Sequence, residues 1–347
     1  MGAEATRLRS GLVLEVHEEE APAGWNEWLL AAGGSAFHSV EWARHKSYGG
    51  AGDQLFCIWR SESAGEDAGR AFAIRRPPRG SRIGRVASRV IFDSPPAVKA
   101  TEVDFVASLQ VWAKRQPALL EVDLGSLDAR CPWAPGEMPG RKRRREYLLA
   151  TGPESDLWKA MSRASHRNVK RAQKAGMETR VGGRADLGEF VRLYRSTLER
   201  LKDVKDIGFR LDDDSFRDSL EPLFDGDERG HLYLAGRDGR VEAGWLFIAL
   251  GDRACAVYSG TTEEARACGG NTLSLYDAVC DLQRRGFVQV NLGGASWRAV
   301  DPDSPDHGLH VYKTRFGAAS EEREGGVLAL RPGRARLVEG VRRLVGR

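Results

Sequence analysis

The sequence has 347 residues, a length that suits two domains of typical size, each with its own core. Hydrophobic residues make up 41% and charged residues 29%, which is ordinary for a globular protein, and the net charge is only +4. No apolar run approaches the ~20 residues of a membrane-spanning helix. The first residues also lack the apolar segment of a secretory signal. We therefore expect a cytoplasmic protein without a membrane span.

Cysteine usage and motif content exclude several kinds of site. The five cysteines are scattered, without a C-x-x-C pair, which argues against a disulfide framework and a zinc site. There is no H-E-x-x-H, no G-x-S-x-G and no P-loop lysine. The run Asp212–Asp214 precedes a helical pattern and fits a helix N-cap better than a metal site. We expect no metal and no dissociable cofactor.

In the first half, hydrophobic periodicity predicts a strand, two helices, three strands, a helix and a strand. In order these are Leu12–His17, Trp25–Ala32, Ser39–Tyr48, Leu55–Ser61, Arg70–Arg76, Arg85–Phe92, Glu102–Arg115 and Leu119–Leu124. A loop rich in proline and glycine follows over residues 128–140, and a strand resumes at Tyr147–Thr151.

The second half opens with a helix that is stopped by Gly176 and continues with a strand and two helices. It continues with three successive strands, a helix and another strand. It ends with a short helix near 308–317 and a tail that consists of a strand and a basic helix. Before the short helix and the tail, the ranges are Asp156–Ala175, Glu178–Val181, Leu187–Leu201, Ser215–Phe224, His231–Ala235, Val241–Leu250, Ala254–Gly260, Thr272–Arg285 and Val288–Leu292. The similar order in both halves predicts an α/β protein (α+β mixed sheets) with two copies of one fold, over residues 1–150 and 151–347.

Positive charge is concentrated in the middle of the chain. Arg141–Arg145 is wholly basic, and the predicted helix 156–175 carries a cationic stripe about 100° wide without an acidic residue. The stripe consists of Lys159, Arg163, His166, Arg167, Lys170 and Lys174. Such a stripe is either a solvated face or a surface for a polyanion. We expect Arg163, Arg167, Lys170 and Lys174 to contact the backbone of a polyanion, with Arg141–Arg145 adding to the same surface.

The C-terminal part contains a strand that runs into a glycine turn, Asn291-Leu292-Gly293-Gly294. A short helix with one lysine, 308–317, follows it. This arrangement can place an ammonium beside an acyl carbonyl, whose oxygen becomes negative in the tetrahedral intermediate of acyl transfer. By local pattern alone, Lys313 could equally be a surface lysine.

Four stretches together resemble the Fem family, GNAT-like transferases that move an aminoacyl group from aminoacyl-tRNA onto an amine. They are Phe37-His38-Ser39-Val40-Glu41-Trp42-Ala43, the basic stretch 165–176, Ile207-Gly208-Phe209-Arg210 with Phe216, and Leu292-Gly293-Gly294 with Gly308-Leu309 and Tyr312-Lys313-x-x-Phe316-Gly317. Each is weak alone, but they occur in the family's order over most of the chain.

The resemblance implies two GNAT-like subdomains in tandem, with the acceptor side in the first and the aminoacyl-donor side in the second. It implies that Lys313 and Tyr312 are catalytic, with Lys313 stabilising the oxyanion. It makes tRNA the polyanion expected at Arg163, Arg167, Lys170 and Lys174. It also implies that Arg210 binds acceptor phosphate, together with Arg44 or Lys46, although Arg210 could instead pair with Asp212–Asp214. Tyr258 ends a strand where a GNAT fold separates its central strands around the acyl donor, so we expect it to line the site.

Two departures bear on the acceptor. The family's cell-wall enzymes carry a Pro-Arg-Gly-Pro-like turn followed by an acidic residue, whereas here the turn is Asp93-Ser94-Pro95-Pro96 and Lys99 lies near the acidic position. The long helical arm of some members is missing as well. We therefore favour a peptide-type natural product over a peptidoglycan precursor as acceptor.

Three alternatives remain open from the sequence. Arg266-Ala267-Cys268-Gly269-Gly270-Asn271 is a degenerate version of the loop with which a CoA-binding GNAT domain holds pyrophosphate, so acyl-CoA is the rival donor. A non-catalytic RNA-binding protein would need only the basic helix. His310 is either a general base or a structural histidine, and the reaction of an activated ester with an amine needs no protein base.

Overall fold

The computed structural model describes residues 4–7, 12–62, 65–77, 87–98, 104–134, 137–151, 154–201, 212–226 and 229–345. The chain forms two compact units. One comprises Met1–Arg144 with Arg323–Arg347, and the other comprises Arg145–Glu322. Among the described residues, no helix has the length and apolar composition needed to cross a membrane.

The first unit is a sheet of mixed direction covered by helices. Its strands are β1 (Glu4–Arg7), β2 (Leu12–Glu18), β3 (Asp53–Ser61), β4 (Asp67–Arg76), β5 (Ser88–Phe92), β6 (Ala97–Val98) and β7 (Leu119–Leu124), and its helices are α1 (Trp25–Ala31), α2 (Val40–Ser47) and α3 (Phe105–Arg115). The order is β1-β2-β3-β4-β5-β7, antiparallel except for the parallel pair β5–β7. The apolar face of α3 packs into the core through Phe105, Leu109 and Trp112, as its periodicity predicts.

The second unit repeats this plan. Its elements are β8 (Lys142–Ala150), which begins in the first unit, α4 (Glu154–Ala160), α5 (Arg163–Lys174), β9 (Glu178–Gly182), α6 (Leu187–Leu201), α7 (Asp213–Leu220), β10 (Gly230–Arg237), β11 (Arg240–Leu250), β12 (Arg253–Thr261), α8 (Glu263–Cys268), α9 (Gly270–Arg284), β13 (Gln289–Ser296) and α10 (His307–Arg315). The strand order is β8-β13-β12-β11-β10-β9. The predicted α/β class is confirmed, and the predicted strands of both halves occur in the predicted order. Asp212 caps α7 by accepting a hydrogen bond from the Ser215 amide, as predicted.

The predicted division at residue 150 needs a correction at the C-terminus. The tail consists of β14 (Ala319–Ala329) and α11 (Pro332–Val345), and residues 323–347 belong to the first unit. The reason is long-range pairing, since Gly326 lies opposite Leu124 in an antiparallel ladder with β7. Arg334 of α11 also donates to the carbonyl of Pro117 at 3.1 Å.

The predicted basic helix 156–175 is two helices, α4 and α5, which are separated at Ser162. The Ser162 side chain accepts a hydrogen bond from the Ser165 amide at 3.2 Å and so starts a new helix. His166 does not belong to the cationic stripe, because its ring stacks on Trp158 at 4.1 Å and bonds the Trp158 carbonyl oxygen at 2.6 Å. Lys159 lies on the other helix.

The run Arg141–Arg145 is less available to a polyanion than its sequence indicates. Most of the run lies in β8, and carboxylates from distant positions pair with three of its five cations. Arg141 pairs with Glu324, Lys142 pairs with Asp123 at 2.8 Å, and Arg145 pairs with Glu322 at 2.7 Å. The sequence could not show these partners, because they lie on other strands.

Candidate active site

The central strands of the second unit separate after a short parallel ladder. β12 and β13 pair only from Arg253–Gln289 to Cys255–Asn291. Immediately afterwards β12 bulges, with Val257 as the extra residue between two ladder positions. On β13, Gly293 turns with a φ of +75°, a conformation that favours glycine, and a Cβ there would lie 3.1 Å from the Ala256 oxygen. The ladder with β12 therefore ends just before Gly293–Gly294, whose local backbone turn lies within β13, because the strand continues to Ser296 and does not end at Leu292 as predicted.

Lys313 is a buried residue at this turn. It lies on α10 and is only 4% exposed, and its Nζ donates to the Gly294 carbonyl oxygen at 3.2 Å. The Nζ also lies 5.0 Å from the centroid of the Tyr147 ring. Burying an ammonium is costly, so the surface-lysine interpretation of Lys313 is wrong. The structure places one lysine where a strand, a glycine turn and a short helix meet, and its catalytic role stays a prediction.

Tyr312 and Lys313 are adjacent in sequence but contact different partners. The Tyr312 hydroxyl accepts a hydrogen bond from the Asn271 side-chain amide at 3.1 Å and lies 3.4 Å from the Asn271 carbonyl oxygen. Burial raises the pKa of Tyr312 above its ordinary value. Tyr312 therefore connects α10 to the start of α9, which favours a structural role, and the catalytic role that the resemblance implies stays a prediction.

His310 belongs to a side-chain network with Tyr147. The Tyr147 hydroxyl and the His310 Nδ1 are 3.0 Å apart. Burial lowers the pKa of His310, and the positive charge of Arg145 and the neighbouring His307 lower it further. Arg145 in turn donates to the Ser320 hydroxyl at 3.1 Å. His310 is therefore a neutral ring bonded to a tyrosine whose face contacts Lys313, which favours a structural role.

Two residues of the site were not found by sequence analysis. Glu146 on β8 is completely buried, and Asn291 on β13 is 1% exposed. The Asn291 side-chain amide donates to Glu146 at 3.1 Å, and its oxygen accepts from the Gly293 amide at 2.8 Å. Asn291 is the first residue of the Asn291-Leu292-Gly293-Gly294 stretch, so the sequence offered a reason to consider it. The sequence offered no such reason for Glu146, since a single acidic residue beside Arg141–Arg145 resembles an ordinary surface charge.

Tyr258 lies on β12 just after the bulge and is half-buried. Its ring makes edge contacts with Tyr194 on α6 and Phe216 on α7, at 5.1 Å and 5.3 Å between centroids. Tyr258 therefore lies in an aromatic cluster under these helices. Its predicted role in lining the acyl site remains a prediction.

The predicted tRNA-binding side chains share one helix, α5. Arg163, Arg167, Lys170 and Lys174 are exposed, and within the described parts of the chain none of them forms an ion pair. The start of α5 is attached to the end of the lysine-bearing helix. The Ser162 amide and the Ser165 hydroxyl both donate to the Arg315 carbonyl oxygen, at 2.8 Å and 3.0 Å. The cationic face thus begins beside α10.

The glycines of the loop before α9 are required by packing. Gly269 has a φ of +91°, and a Cβ there would lie 2.4 Å from the Asn168 carbonyl oxygen on α5. A Cβ on Gly270 would lie 2.6 Å from the Met177 methyl carbon. Arg171 also donates to the Cys268 carbonyl oxygen at 3.1 Å. These contacts explain both glycines without a bound pyrophosphate.

The two predicted acceptor-binding residues of the first unit differ in exposure and in ion pairing. Arg44 is exposed, whereas the Lys46 ammonium lies 3.2 Å from the Asp93 carboxylate. Burial alone would raise the pKa of Asp93, but Lys46 and the Trp42 indole N–H stabilise its carboxylate and lower the pKa. Lys46 is therefore already neutralised by Asp93. Arg210 lies outside the described residues, as does Lys99.

Comparison with known proteins agrees with this geometry. Residues 160–313 match the family described as "Acetyltransferase (GNAT) domain". No curated protein matches the sequence. The solved structure of FemX is similar over 93% of this chain and 100% of its own, with a TM-score of 0.67 and 16% identity.

Two further structures have a related fold. A conserved protein of unknown function from Bacteroides thetaiotaomicron VPI-5482 is 10% identical, over 89% of this chain and 99% of its own, with a TM-score of 0.57. L-PGS from Bacillus licheniformis is 13% identical, over 94% and 97%, with a TM-score of 0.50. The domain match and the fold together support an acyltransferase. The chain therefore shares its fold with FemX, and the matched GNAT acetyltransferase domain lies within its second unit.

Proposed function

We propose that this chain is an aminoacyltransferase that takes an amino acid from aminoacyl-tRNA and forms an amide on the amine of a peptide-type acceptor. The observation that carries the proposal is the position of Lys313, a buried ammonium at the Gly293–Gly294 turn where β12 and β13 separate. In acyl transfer, negative charge develops on the carbonyl oxygen, and one fixed donor commonly contributes ~2.7–4 kcal/mol to lowering the barrier.

The face of α5 supports tRNA as the donor. Its four exposed cations are not neutralised by acidic residues of the described chain, unlike Arg141, Lys142 and Arg145. The face starts at Ser162, which is bonded to the end of α10, two residues after Lys313. A phosphate backbone bound along α5 would therefore lead towards the lysine. The resemblance to the Fem family implies the same donor.

Acyl-CoA is the second candidate donor, because the matching family is a GNAT acetyltransferase domain. Against it stands the loop before α9, whose two glycines are needed to accommodate Asn168 and Met177. A non-catalytic RNA-binding protein is the third candidate, and the buried position of Lys313 argues against it, since RNA binding does not need a buried ammonium.

A transfer assay distinguishes the candidates. A pool of tRNAs charged with labelled amino acids is incubated with the protein and with either free-amine peptides or a cell-wall precursor, with and without ribonuclease. The proposal predicts label in the peptide fraction that ribonuclease abolishes. Transfer supported by acetyl-CoA alone, without label from tRNA, would establish the second candidate. Binding of RNA that is indifferent to charging, without transfer, would establish the third.

A further inference from the structure

A buried carboxylate, that of Glu146, is connected to the buried Lys313 through hydrogen bonds. Among the residues that the structure describes, Glu146 is the one acidic residue that is buried, with 0% exposure. It lies on β8 directly before Tyr147, whose ring contacts the Lys313 ammonium. A buried carboxylate in this position requires a physical explanation, because an uncompensated buried charge costs several kcal/mol in general.

Three hydrogen bonds and the Gly293–Gly294 turn connect the two charged groups. The Glu146 carboxylate accepts from the Asn291 amide at 3.1 Å, and the Asn291 oxygen accepts from the Gly293 amide at 2.8 Å. One residue further on, the Gly294 carbonyl oxygen accepts from the Lys313 ammonium at 3.2 Å. The carboxylate thus stands at one end of this chain of contacts and the ammonium at the other.

We propose that Glu146 is the counter-charge of Lys313: it keeps the buried lysine protonated and, through Asn291, holds the turn against which the ammonium is positioned. Burial in a protein disfavours the charged form of an amine, whereas a nearby carboxylate favours it. An oxyanion is stabilised only by the protonated amine. Glu146 is thus a positioning residue, and its functional importance rests on the role proposed for Lys313.

Within the part of the chain that the structure describes, the other ionisable groups near Tyr147 and Lys313 are less suited to provide this charge. Tyr147 and His310 are neutral, and burial shifts the pKa of each towards its neutral form. Arg145 is positive and is paired with Glu322. Asp306, in the turn before α10, is negative and acts on Tyr147, whose pKa it helps to raise after burial, but its carboxylate accepts a hydrogen bond from the Ser296 amide at the exposed end of β13.

The first test measures the reactivity of Lys313 in the Glu146→Gln variant. Glutamine keeps an oxygen that can accept from Asn291 but removes the charge. Reductive methylation at several pH values, followed by peptide mass spectrometry, reports the neutral fraction of Lys313. We expect methylation at pH 8 to be ~10-fold faster in the variant, because a pKa of Lys313 lower by about one unit raises its neutral fraction ~10-fold. The control is Glu242→Gln, a carboxylate of β11 that pairs with Arg237 at 3.1 Å. An unchanged rate at Lys313 would overturn the proposal.

A second test uses stability and needs no substrate, so its failure is distinguishable from failure of the proposed function. Glu146→Gln, Lys313→Met and the double variant are compared in urea unfolding. Because the double variant lacks both buried charges, we expect it to unfold at a higher urea concentration than additivity of the single variants predicts. Strict additivity would overturn the proposal. If Glu146→Gln does not fold by itself, the double variant must still fold; a double variant that also fails to fold overturns the proposal too.

Discussion

The carbonyl oxygen of Arg315 lies 2.8 Å from the amide nitrogen of Ser162. This bond joins the last residue of the lysine-bearing helix α10 to the N-cap of the cationic helix α5. The proposed catalytic charge and the proposed tRNA-binding face are therefore parts of one packed substructure of the second unit. Because the two parts are packed together, they need separate measurements. The affinity for tRNA reports changes on α5, and the rate of turnover reports changes at Lys313.

Reversing charge on α5 tests the tRNA-binding face. The double variant Arg167→Glu/Lys170→Glu should bind tRNA more weakly, and the slope of log affinity against log salt should become shallower by about 1–2. The control is Lys114→Glu/Arg240→Glu, two exposed residues on α3 and β11 with the same change in net charge. A salt slope that stays the same in the α5 variant, or changes equally in the control, would mean that this face is only solvated.

Replacing Gly293 by alanine tests the turn under Lys313. The φ of +75° is strained for alanine, and the added Cβ would lie 3.1 Å from the Ala256 oxygen and 3.8 Å from the Lys313 Nζ. We expect a loss of about 1–2 kcal/mol in unfolding free energy together with reduced turnover. Gly308→Ala, on α10 with no atom within 4 Å of its Cβ, should be neutral or slightly stabilising. Equal unfolding free energies for the two variants would contradict this account of the turn.

Removing the Tyr312 hydroxyl distinguishes the role of Tyr312 from that of the neighbouring Lys313. Tyr312→Phe loses the contacts with Asn271, so we expect about 0.5–1.5 kcal/mol less stability but turnover within a few-fold of wild type. Thermal unfolding and steady-state transfer measure the two effects. A loss of turnover as large as that of Lys313→Met would instead support a chemical role for Tyr312.

His38 predicts acid sensitivity of the first unit. Its Nδ1 accepts from the Phe72 amide at 3.1 Å, so Nε2 donates to the Pro95 oxygen at 2.7 Å, and protonation would break the first bond. Burial lowers the pKa of His38 to about 4 from the ordinary 6.5. The unfolded chain therefore binds the extra proton below pH 6.5, and about 3 kcal/mol of stability is lost as the pH falls towards 4.

Unfolding in urea at pH 7, 5.5 and 4.5 measures this loss. In His38→Gln the dependence on pH should be weaker than in wild type, although the variant is less stable at pH 7. His17→Gln changes a partly exposed histidine on β2 and should leave the dependence as it is. A wild-type unfolding free energy that does not change over this range would contradict the expected protonation behaviour of His38.

The sequence predicted the elements and the lysine, because both depend on local patterns. The ends of Leu119–Leu124 and Leu187–Leu201 are as predicted, and the strand and the short helix around Lys313 are present. The predicted Gly-Gly turn is not the end of the strand, because β13 continues through Gly293 and Gly294 to Ser296. What depended on distant pairing could not be predicted. Asn291 bonds Glu146, which is 145 positions away, and Gly326 pairs with Leu124. The pairing of Arg141 with Glu324 and of Arg145 with Glu322 was missed for the same reason, since both glutamates lie on another strand.

Single-turnover transfer from aminoacyl-tRNA by the Lys313→Met variant tests the central claim most directly. Methionine fills a similar volume without the charge, and circular dichroism and thermal unfolding verify that the fold is retained. If the Lys313 ammonium stabilises the oxyanion, the rate of transfer falls ~100-fold or more while tRNA binding is unchanged. A rate within a few-fold of wild type would contradict the account.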